Sequence, residues 1–224
     1  MRATSAAASI LAAAAPTVGR ARRAAFVRRI AVLAAAVGAD VDLDVALDAR
    51  IGRRVHVSVA PGTRTALTIG PGAVVSDGCR LLLKGGRIEL GGWVDLRPGV
   101  TLNVSGALTI GEATVIGAGS VIHCAHEVLI GPRCGIGEYA TLVDTSHVHT
   151  APERAIYLDT VPGRVVIGQQ VFVGTKSTLG RRSQVGDYAM VGANSVVTGA
   201  VPSGVLVSGV PAVEVRRLQL PWDS

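Results

Sequence analysis

The stretch IGQQVFVGTKSTLGRRSQVGDYAMVGANSVV, residues 167–197, decides the fold. Ile167, Val173, Leu179, Val185, Val191 and Val197 fall six positions apart, and glycine follows each of the first five, at 168, 174, 180, 186 and 192. A period of six belongs neither to an α-helix nor to an ordinary strand, whose side chains repeat about every 3.6 and 2 residues. A repeat this short implies a solenoid in which each six-residue unit supplies a short strand and a turn. The apolar, mostly β-branched residue packs inward, and the glycine lets the backbone turn without steric cost.

The same period runs upstream through Ile88, Val94 and Val100, then Ile110, Ile116 and Ile122, then Ile130, Ile136 and Leu142, with Ile69-Gly70 and Val75 as a weaker start. Its phase slips between Val100 and Ile110 and again between Ile122 and Ile130. The widest break lies between Leu142 and Ile167. Its middle lacks the repeat and holds Pro152, Pro162 and Gly163, so it reads as an excursion loop over 147–165, thrown out from the wall. Loops on a rigid scaffold are where function concentrates. The expected organisation is a basic helical extension over 1–50, an all-β solenoid over 51–203 and a C-terminal tail over 204–224.

Composition agrees with a narrow core. The chain is 49% hydrophobic but only 3% aromatic, which suits a prism filled by Val, Ile, Leu and Ala. Bare solenoids expose flat, repetitive faces, so self-association is expected. The net charge is +6, and residues 1–39 account for all of it through Arg2, Arg20, Arg22, Arg23, Arg28 and Arg29, with no acid among them. The remainder is formally neutral, which argues against a nucleic-acid surface. Phe26, Ile30, Leu33 and Val37 share one helical face, expected to pack on the solenoid; the alternative is peripheral contact with anionic lipid through the arginines. Residues 6–15, AAASILAAAA, are too weakly apolar for a signal-peptide core, so export is not expected. Nor does any stretch approach the roughly 20 apolar residues that span a bilayer. Cys79, Cys124 and Cys134 are odd in number and match no paired metal spacing, so a reducing, cytoplasmic setting is expected and each reads as a small buried hydrophobe.

The excursion opens with Asp144, Thr145, Ser146, His147, Val148 and His149. A histidine where an ordered wall gives way to a loop is a candidate general base, because its pKa lies near neutrality. Asp144 either orients His147 or satisfies the loop backbone. His123, Cys124, His126 and Glu127 form a second polar cluster around a phase break, where turns host polar residues in any case, and no metal is expected there.

Residues 130–218 carry a resemblance. The strings IGPRCGIGEYATLVDTSH, VVIGQQVFVGTKSTLG and QVGDYAMVGANSVVTGAVPSGVLVSGVPAVEVRRL resemble the hexapeptide-repeat acyltransferases, above all the maltose, galactoside and nodulation-type sugar O-acetyltransferases and polysaccharide acetyltransferases. The resemblance implies a left-handed parallel β-helix, a homotrimer, and acyl-CoA, in the first instance acetyl-CoA, lying between neighbouring prisms. It implies that His147 takes the proton from an acceptor hydroxyl as that oxygen attacks the thioester carbonyl, and that an amide beside Thr175 stabilises the oxyanion. It places Gly174 and Thr175 against the thioester and pantetheine, Gly192 and Ala193 one coil later, and Thr198 near the channel end. Arg216 and Arg217 fall where basic residues meet the nucleotide phosphates.

Three departures stand out. Thr198-Gly199-Ala200 replaces the usual Thr-Lys-Asp, so a phosphate-facing lysine is missing, with Lys176 or Arg164 as substitutes. Phe172 replaces a tryptophan, and Gly117-Ala118-Gly119 stands where an acceptor-orienting asparagine is usual. Two other functions fit a β-helix. A zinc carbonic-anhydrase type needs three converging histidines, and the spacing of His147 and His149 does not suit it. A non-catalytic scaffold would explain the repeat but neither the terminal string nor the histidine at the loop mouth.

Overall fold

The computed structural model describes residues 3–220, apart from 154 and 156–158. Three parallel walls carry the chain. The first stacks Asp40–Val45, Arg64–Ile69, Gly86–Leu90, Ala107–Ile110, Glu127–Ile130, Arg164–Ile167, Gln184–Val185 and Ala200–Val201. The second runs from Arg50–Ile51 through Gly135–Ile136, Phe172–Val173 and Met190–Val191 to Val205–Gly209. The third runs from His56–Val59 through Val121–Cys124, Thr141–Val143 and Thr178–Leu179 to Val196–Val197. Successive strands visit the walls in turn, and each pairs in parallel with the strand one coil on, as Ile110 does with Ile130. The result is a solenoid with three sides and three corners.

Ile167, Val173, Leu179, Val185, Val191 and Val197 all face inward, none more than 3% exposed. Strand alternation buries the residue two places earlier as well: Val165, Val171, Ser177, Ser183, Ala189 and Ser195. The buried serines are satisfied by the neighbouring coil. Ser177 Oγ donates to the Gly192 carbonyl at 2.9 Å, and Ser183 Oγ to that of Val197 at 2.8 Å.

The phase slips have a structural cause. Third-wall strands Thr101–Val104 and Val121–Cys124 are longer than their counterpart Thr178–Leu179, and they bury Val104 and Cys124 beyond Leu102 and Ile122. The coil that carries Ile110 onto Ile130 is therefore longer than the one that carries Ile167 onto Val185. Adding a pair of residues lengthens a strand without exchanging its faces, so the core stays continuous.

Both ends of the solenoid extend further than the repeat suggests. It begins at Asp40, ahead of the expected boundary at 51, because Asp40–Val45 pairs with Arg64–Ile69. Residues 204–217 are wall, not tail: Val205–Gly209 pairs with Met190–Val191, and Ala212–Arg217 folds back antiparallel on it. The second wall is thus closed by the chain's own strand, which covers an edge that would otherwise invite pairing.

Helix α1, Ala3–Ala36, caps the opposite end. Phe26, Ile30 and Ala34 are buried against the first strands, with Leu33 and Val37 half-buried beside them. Arg23 Nε donates to the Val45 and Ala46 carbonyls at 3.0 Å, and Arg29 donates to the Val55 carbonyl. These carbonyls belong to the first coil, which has no earlier coil to bond, so two arginines of α1 serve as edge caps. No helix among the described residues is long and apolar enough to cross a membrane.

Val185→Asp tests the register. The side chain is 3% exposed, so the substitution buries an unpaired charge and should cost several kcal/mol. A thermal melt matching the wild type would place this residue outside the core.

Candidate functional site

The chain leaves the third wall after Thr141–Val143. Asp144 then turns inward, fully buried, and its carboxylate accepts the amides of Ala125 at 2.9 Å, His126 at 2.7 Å and Glu127 at 2.8 Å. Of the two roles open to Asp144, backbone satisfaction is what the geometry displays; no hydrogen bond joins it to His147 among the described residues. The staple ties the root of the excursion to the corner one coil below.

Thr145–His147 next pairs antiparallel with Thr160–Pro162, placing His147 opposite Thr160. The Val148 amide continues the ladder to the Asp159 carbonyl at 3.1 Å, and the Thr150 hydroxyl donates to the Asp159 carboxylate. The excursion is therefore rooted in a two-stranded ribbon, and Arg164–Ile167, whose start falls inside the expected 147–165 span, already belongs to the first wall. His147 is exposed, and its ring makes no hydrogen bond among the described residues. His149 is exposed further along.

Replacing Asp144 with Ala strands three amides at once. The expected loss is about 1–3 kcal/mol for a set of part-buried donors left without their acceptor, visible as a lowered melting temperature. An unchanged melt would mean that the staple adds nothing to stability.

Gly174, Thr175, Gly192 and Ala193 stack in successive coils at another corner, between the second and third walls. A Cβ on Gly174 would overlap the main chain of Ala193, so coil stacking alone already demands glycine there. Gly174 N–H bonds the Val191 carbonyl at 2.7 Å and Lys176 N–H that of Glu138 at 2.8 Å, while the Thr175 N–H between them has no partner among the described residues. Thr198 lies at the third-to-first corner, exposed, two coils beyond the ribbon root. Arg216 and Arg217 are exposed on the closing strand, opposite Leu206 and Val205. One prism thus brings Thr198 to the ribbon's corner but sets the glycine wall and the arginine pair elsewhere. Of the two substitutes for the missing lysine, Lys176 is exposed at the glycine corner, whereas Arg164 is bonded to Glu127 at 2.8 Å.

Strand alternation separates the second polar cluster. Cys124 points into the core, and His123 stays outside with its Nδ1 3.4 Å from Asn103 Nδ2. Burial, reinforced by the Asp144 carboxylate, pushes the Cys124 thiol up to about 12, and burial pushes Cys79 up to about 11. Both stay protonated near neutrality, and all three cysteines are buried. Among the described residues, no three His, Cys, Asp or Glu side chains gather as a metal site.

Beside the ribbon root, on the first wall, opens a cavity of about 610 Å³ lined by His126, Glu127, Gly163, Arg164, Arg182 and Gln184. His147 stands on the ribbon outside this lining. Behind Gly163 lies Arg181, whose Cγ occupies the place a Cβ on that glycine would take. Neither Arg181 nor Arg182 stands out in the sequence. Their signal is positional: LGRRSQ is the unit one coil beyond the ribbon, at the same corner.

Three parallel walls built on a six-residue repeat define a hexapeptide-repeat, left-handed parallel β-helix. Within that class the chain is similar to sugar O-acetyltransferases. Galactoside O-acetyltransferase of Escherichia coli K12 is 30% identical over 94 residues, covering 42% of this chain and 45% of that protein. The chain spans less than half the length of the curated relatives it matches. A hexapeptide-repeat acetyltransferase from Vibrio cholerae superposes with a TM-score of 0.53 at 24% identity, over 67% of this chain and 73% of its own. A galactoside acetyltransferase in complex with coenzyme A superposes with a TM-score of 0.50 at 23% identity, over 56% and 64%. These two structures establish the shared fold. No family model matches the chain.

Proposed function

We propose that the protein transfers an acyl group, in the first instance acetyl, from acyl-CoA to a hydroxyl of a sugar, polysaccharide unit or glycosylated metabolite. The site is shared by neighbouring prisms of a homotrimer. The observation that carries this reading is the placement of His147: an exposed imidazole without hydrogen bonds among the described residues, on a ribbon held to the rigid wall by the Asp144 staple. Similarity to galactoside O-acetyltransferase supports the acceptor class, and the related structure in complex with coenzyme A supports the donor.

The chemistry follows from a poor nucleophile meeting a thioester. His147 takes the proton of the acceptor hydroxyl, and the oxygen adds to the thioester carbonyl. The partnerless Thr175 N–H is the candidate donor to the oxyanion, aided by its fixed place between two committed amides. Collapse breaks the carbon–sulfur bond, and the imidazolium returns its proton to the departing thiolate. Thr175 and His147 occupy different corners of one prism, which is why the site needs a second copy. In it, Gly174, Gly192, Ala193 and Thr198 line the pantetheine path, with Arg216 and Arg217 toward the phosphates.

The test is release of free CoA from acetyl-CoA across a panel of glycosides, with light scattering on the same sample. Sugar-dependent release by a trimer is expected. No release above background with any sugar, or a stable monomer at micromolar concentration, overturns the proposal.

A further inference from the structure

We infer that the acceptor is an acidic sugar, a uronate or a sugar phosphate, whose anionic group sits in the cavity beside the ribbon root; this rests on the sugar acyltransfer proposed above. The cavity, of about 610 Å³, is an open depression on the wall, wide enough to admit a sugar. Its charge is the specific feature.

Two guanidiniums line the cavity, those of Arg164 and Arg182, and the aliphatic stem of Arg181 packs against Gly163, which lines it too. Two carboxylates stand near them, and both are committed. Glu127 is bonded to Arg164 at 2.8 Å, and Asp144 is turned onto three main-chain amides. That leaves Arg181 and Arg182 without a carboxylate among the described residues.

Arg182 stands at a corner with φ of +72°, the conformation that eight other non-glycine residues adopt among the described residues, and its N–H bonds the Arg164 carbonyl at 2.9 Å. From that corner its side chain lines the cavity.

Arg181 supplies the independent observation. Its Nε and Nη1 are buried and have no hydrogen-bond partner among the described residues. An unpaired buried guanidinium edge is costly. Its stem packs against Gly163 in the cavity lining, and charge interactions through protein are screened less than through water. An anion in the cavity is the counter-charge that both arginines lack. Planar, multi-donor guanidinium suits carboxylate and phosphate alike, and His126 and Gln184 can hydrogen-bond the sugar hydroxyls.

The experiment compares methyl glucuronide, glucose 6-phosphate and methyl glucoside as acceptors and, separately, as ligands titrated calorimetrically into the full chain. Wild type should favour at least one acidic sugar over methyl glucoside by about tenfold or more in kcat/KM and in affinity, the scale of one charged hydrogen bond. Arg182→Gln, which keeps the backbone cost of an L residue, should level the three. Arg182→Lys should restore part of the preference. Equal handling of all three by wild type overturns the inference. So does an Arg182→Gln protein that loses CoA affinity but keeps its sugar preference, since the anion would then be a CoA phosphate. Acidic-sugar binding without acyl transfer to any sugar would sink the proposed activity and leave the anion site standing.

Discussion

His147→Ala should lower kcat by roughly 10²–10⁴ while CoA affinity stays close to wild type, the range expected when a positioned base is removed. The reason lies in how little the imidazole does for the fold. It is exposed, pairs only through its backbone with Thr160, and makes no side-chain hydrogen bond among the described residues. Its loss should therefore leave the melting temperature unchanged, unlike that of Asp144 three residues earlier. His149→Ala is the control, because His149 lies further along the excursion and should cost little. Single-turnover rates at saturating acetyl-CoA separate the outcomes. Wild-type turnover in His147→Ala with a dead His149→Ala would reassign the base; wild-type turnover in both would remove histidine from the mechanism.

The repeat is legible because burial in a narrow prism leaves so few choices. The hexad position is filled by Val, Ile or Leu throughout residues 167–197, and every one of the six from Ile167 to Val197 is buried. What the hexads hide lies where the period changes. The acidic alternation of Asp40, Asp42 and Asp44 with Val41, Leu43 and Val45 is a period-2 strand signal, masked because the coil that carries Val45 onto Ile69 is longer still and shows no hexad. The closing strand Ala212–Arg217 is hidden for the opposite reason. It lies across the end of the second wall with almost every residue exposed, so no apolar pattern marks it.

At the site, residues near in sequence are easier to place than residues near in space. His147 falls at the mouth of the excursion, as the end of the hexads at Leu142 implies. Asp144 is different: whether it faces His147 or the corner below depends on the backbone amides of Ala125, His126 and Glu127, a full coil away. Arg181 is invisible for the same reason, its neighbour Gly163 lying one coil away across the ribbon root. Corner identity is the hardest quantity to read. It requires counting coils of unequal length across an excursion of unknown shape.

That separation of corners leads to the sharpest expected result. If His147 of one prism works on acyl-CoA held along Gly174 and Ala193 of another, two dead variants should rescue each other. His147→Ala removes the base but leaves the glycine wall intact. Ala193→Trp blocks that wall but leaves the ribbon intact, since residue 193 is exposed on a different corner. Co-expressed at equal levels in a closed ring of three, random mixing makes about three-quarters of the trimers mixed, each with one site in three complete, so activity should return to roughly a quarter of wild type. Each variant alone should remain at least about a hundredfold down. A site contained within one prism predicts no recovery at all, because every subunit would still carry one defect. Recovery near the sum of the parents, with mixed trimers confirmed by native mass spectrometry, would therefore end the shared-site reading even if both variants behave as expected alone.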